Sequence, residues 1–184
     1  MQLPRRTSQG SHKHLTREYY KCPADFVWTL VRRPDDWYVS WFRYAQQHGW
    51  PDYRHTIAHP QACLSDCAAD TFEGFIEHCL TNHRGYLSQM YALYTEGADY
   101  VGTTENIVSD FRRAMNLRSH LHIDSRPVHS SRGPVPQWPN GLLKELLATE
   151  EWAVRIWESA KASGLAGLQE GVSEHSPLHD ARQG

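Results

Sequence analysis

The chain has 184 residues, 40% of them hydrophobic, and a formal charge of -2 at pH 7. That length suits one domain with a sizeable core, and the near-neutral charge lacks the basic excess of a dedicated nucleic-acid binder. No apolar run reaches the length of a membrane span and the N-terminus has no apolar signal core, so a cytoplasmic protein without a membrane span is expected.

The first strong element is the run Phe26 to Val31, whose β-branched and aromatic content suits a central strand. Pro34 ends it, and Asp35 or Asp36 is placed to cap the helix predicted over 36–48. Trp37, Trp41 and Tyr44 recur there at helical spacing and read as a core-facing stripe. Gly49-Trp50-Pro51 breaks the helix, and residues 53–69 read as irregular. Two helices are expected over 71–80 and 83–94, then a short strand over 100–102 and a helix over 105–116. Residues 119–141 form a long loop with four prolines, Pro127, Pro134, Pro136 and Pro139. A single amphipathic helix is predicted over 142–162. The composition of 164–184, rich in Gly, Ser, His and Gln, predicts a disordered tail, leaving residues 1–163 as the domain.

Arg32 falls at the carboxyl end of the predicted strand, where open α/β sheets bind ligands. Ser40 is expected about one turn inside the next helix, whose N-terminus favours an anion. A guanidinium, a hydroxyl and a helix N-terminus converging there make a phosphate site. The four cysteines are Cys22, Cys63, Cys67 and Cys79. Cys63 and Cys67, followed by His78 or Cys79, admit a zinc reading, but a lone C-x-x-x-C is a weak signal, and buried free thiols are the simpler one. No metal is therefore expected.

At these residues the chain resembles the sulfotransferase family, which uses 3′-phosphoadenosine 5′-phosphosulfate (PAPS) as sulfuryl donor. Val31, Arg32, Pro34 and Ser40 match a strand, V-R-x-P and a helix with serine eight positions after the arginine. The segment Ser11 to Glu18, with His14, resembles H-x-T-x-R-E. Phe72-Glu73-Gly74-Phe75-Ile76 resembles F-x-x-F-V. Asp99 to Phe111 resembles D-x-I-G-R-x-E-N-L-x-x-D-F, with Thr103 in place of the arginine. His122-Ile123-Asp124-Ser125 stands where the family has H-V-N-x-S. The matches span roughly residues 11–157 in the family's order.

The resemblance implies an α/β fold: a three-layer P-loop-NTPase-like core with a short parallel sheet flanked by helices. It implies that Arg32 and Ser40 hold the 3′-phosphate of PAPS, and that a hydroxyl of a small molecule or glycan accepts the sulfuryl group. The family's first cofactor loop, P-K-x-G-x-T/S, has no counterpart before His14, so an N-terminally truncated core is expected. His14 is the best candidate for a base, although no catalytic residue is assigned, and Arg132 is a further candidate phosphate contact. Two functions follow: sulfuryl transfer from PAPS, or a non-catalytic domain that keeps the nucleotide half-site and binds a nucleotide or a protein partner.

Overall fold

Trp28–Val31 forms β1, and its last residue, Val31, is fully buried. The chain then enters α1 (Pro34–His48) at once. This computed structural model describes residues 26–50, 64–115 and 134–163. A 3₁₀ turn at Leu64–Cys67 leads to α2 (Phe72–Asn82) and α3 (Tyr86–Thr95). Next come β2 (Tyr100–Thr103), α4 (Ile107–Ala114), α5 (Leu142–Thr149) and α6 (Glu151–Ser163). The described part is thus α/β and mostly helical, around one small sheet.

β1 and β2 pair in parallel, with Trp28 opposite Tyr100 and Val31 opposite Thr103. A parallel pair needs a long crossover, and α1, α2 and α3 lie within it. Both faces of such a sheet are covered, and all four residues of β2 are buried. α3 and α6 pack on β1, while α4 and α6 pack on β2. The parallel pairing of these two segments is the topology expected from sequence. Thr104 N extends the ladder by donating to Val31 O at 2.9 Å.

The core joins α1, α2, α3, α5 and α6 through Tyr38, Phe42, Phe75, Ile76, Leu87, Leu146 and Ile156. Phe42 lies 5.4 Å from Phe72 and 5.6 Å from Phe75 between ring centroids, within the range of favourable aromatic pairs. Trp37 and Trp41 stack on each other at the margin of this core, 5.7 Å apart, whereas Tyr44 is exposed. The stripe therefore reaches the core with two of its three rings.

Local signals explain several boundaries. Thr71 caps α2 by accepting Gly74 N at 3.1 Å. Gly85 precedes α3 at φ 72, a left-handed conformation that glycine adopts without strain. Neither Asp35 nor Asp36 is the N-cap of α1: that position is Arg33, Pro34 supplies the first turn, and the helix begins earlier than expected. The helix predicted over 142–162 is two helices, broken at Glu150. Glu150 is fully buried, departs from the helical path at φ -100 and ψ 25, and turns its side chain to another helix. No helix among the described residues is long and apolar enough to cross a membrane.

Candidate functional site

The carboxyl edge of the strand pair gathers Arg32 and Arg33 after β1, Thr104 and Glu105 after β2, and Tyr91 from α3. The Tyr91 hydroxyl accepts Arg32 N at 2.8 Å and donates to Arg32 O at 2.7 Å. One phenol thus satisfies both backbone groups of the residue where strand turns into helix. Burial pushes this phenol well above its ordinary pKa, against the backbone and charge of Arg32, so it keeps its proton and can do both.

The two arginines have different environments. Arg33 donates to Asp35 through Nε at 2.6 Å and through Nη2. Burial raises the Asp35 carboxyl, but the bond from Arg33 and its charge outweigh it, and the group ends below its ordinary value. Backbone N–H groups of Asp35 and Asp36 add to that effect. The first turn of α1 therefore already carries one carboxylate of its own. Asp36 is held above its ordinary value, first by burial and then by the charge on Asp35. Arg33 N also donates to Glu105 Oε1 at 3.2 Å, and Trp157 Nε1 from α6 approaches Glu105 Oε2 at 3.4 Å.

Arg32, by contrast, makes no ion pair with the described residues. Its Nε reaches Thr104 Oγ1 at 3.4 Å, a long contact, and the side chain is half-buried. Ser40 is half-buried on α1, six positions beyond Pro34, which places it roughly 9 Å along the axis and in the second turn. No hydrogen bond joins the two side chains. Arg32 thus lies in the link that follows β1 and Ser40 within α1, with the serine deeper in the helix than the sequence suggested. His14, Arg132, the segment 122–125, Cys22 and Cys63 lie outside the described residues. Cys67 and Cys79 are free and buried.

Thr103 is fully buried, and both its N (2.7 Å) and Oγ1 (3.2 Å) donate to Asp110 Oδ2. Tyr100 Oη donates to Asp110 Oδ1 at 3.1 Å. Asp110 therefore fastens α4 to both ends of β2.

Sequence reasoning missed Tyr91 and Glu150. Glu150 Oε1 accepts Tyr38 Oη at 2.6 Å and Leu87 N at 3.1 Å, while Oε2 accepts Ser88 N at 2.7 Å. Burial first, and then the charge of Glu150, raises the Tyr38 phenol well above its ordinary range. A usable signal was present: Glu150 falls four after Leu146 and three after Leu147, on the apolar face of its helix. Tyr91 carries no such mark, since a tyrosine at helical spacing among apolar residues reads as core.

No protein-family model matches the chain, and no characterised protein or solved structure shows significant similarity to it.

Proposed function

We propose that the chain is a sulfotransferase-type domain that binds PAPS at the carboxyl edge of β1, with Arg32 and Ser40 on the 3′-phosphate. The observation that carries this reading is the Arg32 guanidinium: half-buried at a parallel sheet's carboxyl edge, held by its backbone, and without an ion pair among the described residues. A cation in that setting favours an anionic ligand, and such edges are where open α/β sheets bind nucleotides. Arg33 is committed to Asp35 and is given no ligand role.

The fold that accompanies this reading is the three-layer sulfotransferase core, of which β1 and β2 would be neighbouring strands. The reaction is transfer of the sulfuryl group from PAPS to a hydroxyl acceptor. In that reaction Arg32 and Ser40 anchor the nucleotide away from the reacting sulfur, which fixes the direction in which the sulfuryl group points.

Calorimetry with two nucleotides tests the site. Adenosine 3′,5′-bisphosphate should bind more tightly than 5′-AMP, because only the first carries the 3′-phosphate. Arg32→Ala should weaken the bisphosphate on the order of 10- to 100-fold and leave 5′-AMP nearly unchanged. Equal affinity for both nucleotides, or an unaffected Arg32→Ala protein, overturns the assignment.

A further inference from the structure

Away from the sheet edge, the 3₁₀ turn and the end of α2 bring metal-binding groups together. Asp66 and Cys67 lie in the turn, and His83 closes the C-terminus of α2. A carboxylate oxygen of Asp66, Cys67 Sγ and a ring nitrogen of His83 all lie within 4.8 Å of one another. His83 Nε2 already stands 2.7 Å from Asp66 Oδ1 and 2.8 Å from Oδ2. We propose that Asp66, Cys67 and His83 form a site for a zinc-class divalent ion, with a solvent molecule as fourth ligand.

The donor set favours this class of ion. Thiolate and imidazole together suit zinc and its neighbours, whereas magnesium and calcium take oxygen ligands. Tetrahedral zinc with bonds of about 2.0–2.3 Å places its ligand atoms roughly 3.3–3.7 Å apart. The three groups, within 4.8 Å of one another, would adjust to that spacing on binding. Cys67 is fully buried and Asp66 is exposed, so the ion would sit at the surface with its sulfur side inward and its fourth position toward water.

The surroundings hold the ligands in place. The Cys67 carbonyl accepts the Nδ1–H of His78 at 3.3 Å, and His83 N donates to Cys79 O at 2.9 Å. Such outer partners orient the ligands of metal sites. Binding would displace the Cys67 thiol proton to solvent and shift the imidazole proton to Nδ1, leaving Nε2 for the metal.

Cobalt(II) is the probe, titrated into the full chain after treatment with a chelator. The expected result is one equivalent bound, with tetrahedral d–d bands and a thiolate-to-cobalt charge-transfer band, both removed by added zinc. Cys67→Ser should abolish the charge-transfer band. His83→Ala, at a partly exposed position, should weaken binding at least ~10- to 100-fold, the cost of losing even an outer partner. The double variant Cys22→Ser, Cys63→Ser should bind as the wild type does. Absence of a thiolate band in the wild type, its persistence in Cys67→Ser, full affinity in folded His83→Ala, or its loss in the Cys22/Cys63 variant each overturns the site. Circular dichroism establishes that each variant is folded.

Discussion

Ser88 donates its backbone N–H to Glu150 Oε2 at 2.7 Å, and its own hydroxyl accepts the N–H of Ala153, three residues past Glu150, at 3.1 Å. Each residue thus satisfies the open N–H groups at the start of the other's helix. α3 begins after Gly85, which has no side chain to cap it, and Glu150 brings a carboxylate to the positive end of that helix. The arrangement ties the crossover between the strands to the C-terminal helices at the junction where α5 gives way to α6.

Glu150→Gln should therefore be costly. The amide keeps one acceptor but turns a donor toward N–H groups that are already donors, so about 2–3 kcal/mol of stability should be lost. Thermal unfolding should show a fall of roughly 5–10 °C. Ser88→Ala should cost about 1 kcal/mol, as for a lost cap, and the double variant should be less destabilised than the sum, because the two groups act on one junction. Strict additivity would show that the two caps are independent.

A second prediction concerns the tight approach of α4 to β2. A Cβ added at Gly102 would lie 2.9 Å from Asp110 Cβ and 3.1 Å from Leu30 Cδ2. Asp110 has little freedom to retreat, since it holds Thr103 N and Tyr100 Oη. Gly102→Ala should destabilise the protein by roughly 1–3 kcal/mol, the usual cost of overpacking. Urea unfolding measures it, and an unchanged midpoint would mean that α4 shifts freely on the sheet.

Both strands and most helices are legible in the sequence because their signals are local. Phe26 to Val31 is an apolar β-branched run, Pro34 fixes the start of α1, and Asp99-Tyr100-Val101-Gly102 is a turn followed by a strand. The split at Glu150 has no such local signal: continuous helical periodicity over 142–162 conceals it, and the N–H groups that Glu150 meets there belong to distant α3. The site divides the same way. Arg32 is marked by its place after a strand, whereas Tyr91, which holds the Arg32 backbone, lies 59 residues away and looks like any core aromatic residue. The Asp66–Cys67–His83 grouping is not legible in the same way, because cysteine spacing pairs Cys67 with Cys63 and with His78 or Cys79, while the fold brings an aspartate and a helix-end histidine beside it.

The acid limb of stability should depend on Asp35. Its pKa in the folded chain is lowered, so the stability it contributes is present above its unfolded value of about 3.9 and is lost as pH falls through the folded value. Asp36 acts in the opposite sense: its raised folded pKa favours the protonated form, and its contribution is lost as pH rises through that value. Asp35→Asn should lower stability at pH 7 by about 1 kcal/mol, a figure discounted because Arg33 is half exposed. The gap between the two proteins should narrow as pH drops below about 4. Urea midpoints at a series of pH values check this, and a gap that stays constant down to pH 3 would show that the charge on Asp35 is not what matters.

The last prediction links the fold to the proposed nucleotide site. Tyr91→Phe removes one oxygen and leaves both Arg32 N and Arg32 O without the partner they share. Unpaired backbone groups cost about 1–3 kcal/mol when buried and less in this part-buried setting, so the variant should be measurably less stable. The ring still fills its space, because Phe differs from Tyr only in the hydroxyl, and the core around Leu87 should persist. The functional consequence should be selective. If Arg32 binds the 3′-phosphate, a looser backbone at that residue widens the range of guanidinium positions, and adenosine 3′,5′-bisphosphate should bind several-fold more weakly at a temperature where the variant is fully folded. The affinity for 5′-AMP, which lacks the 3′-phosphate, should hardly change. Calorimetry on the two nucleotides with wild type and Tyr91→Phe separates these effects. Equal weakening of both nucleotides would assign Tyr91 to general stability, and unchanged bisphosphate binding in a destabilised variant would detach the phosphate from Arg32.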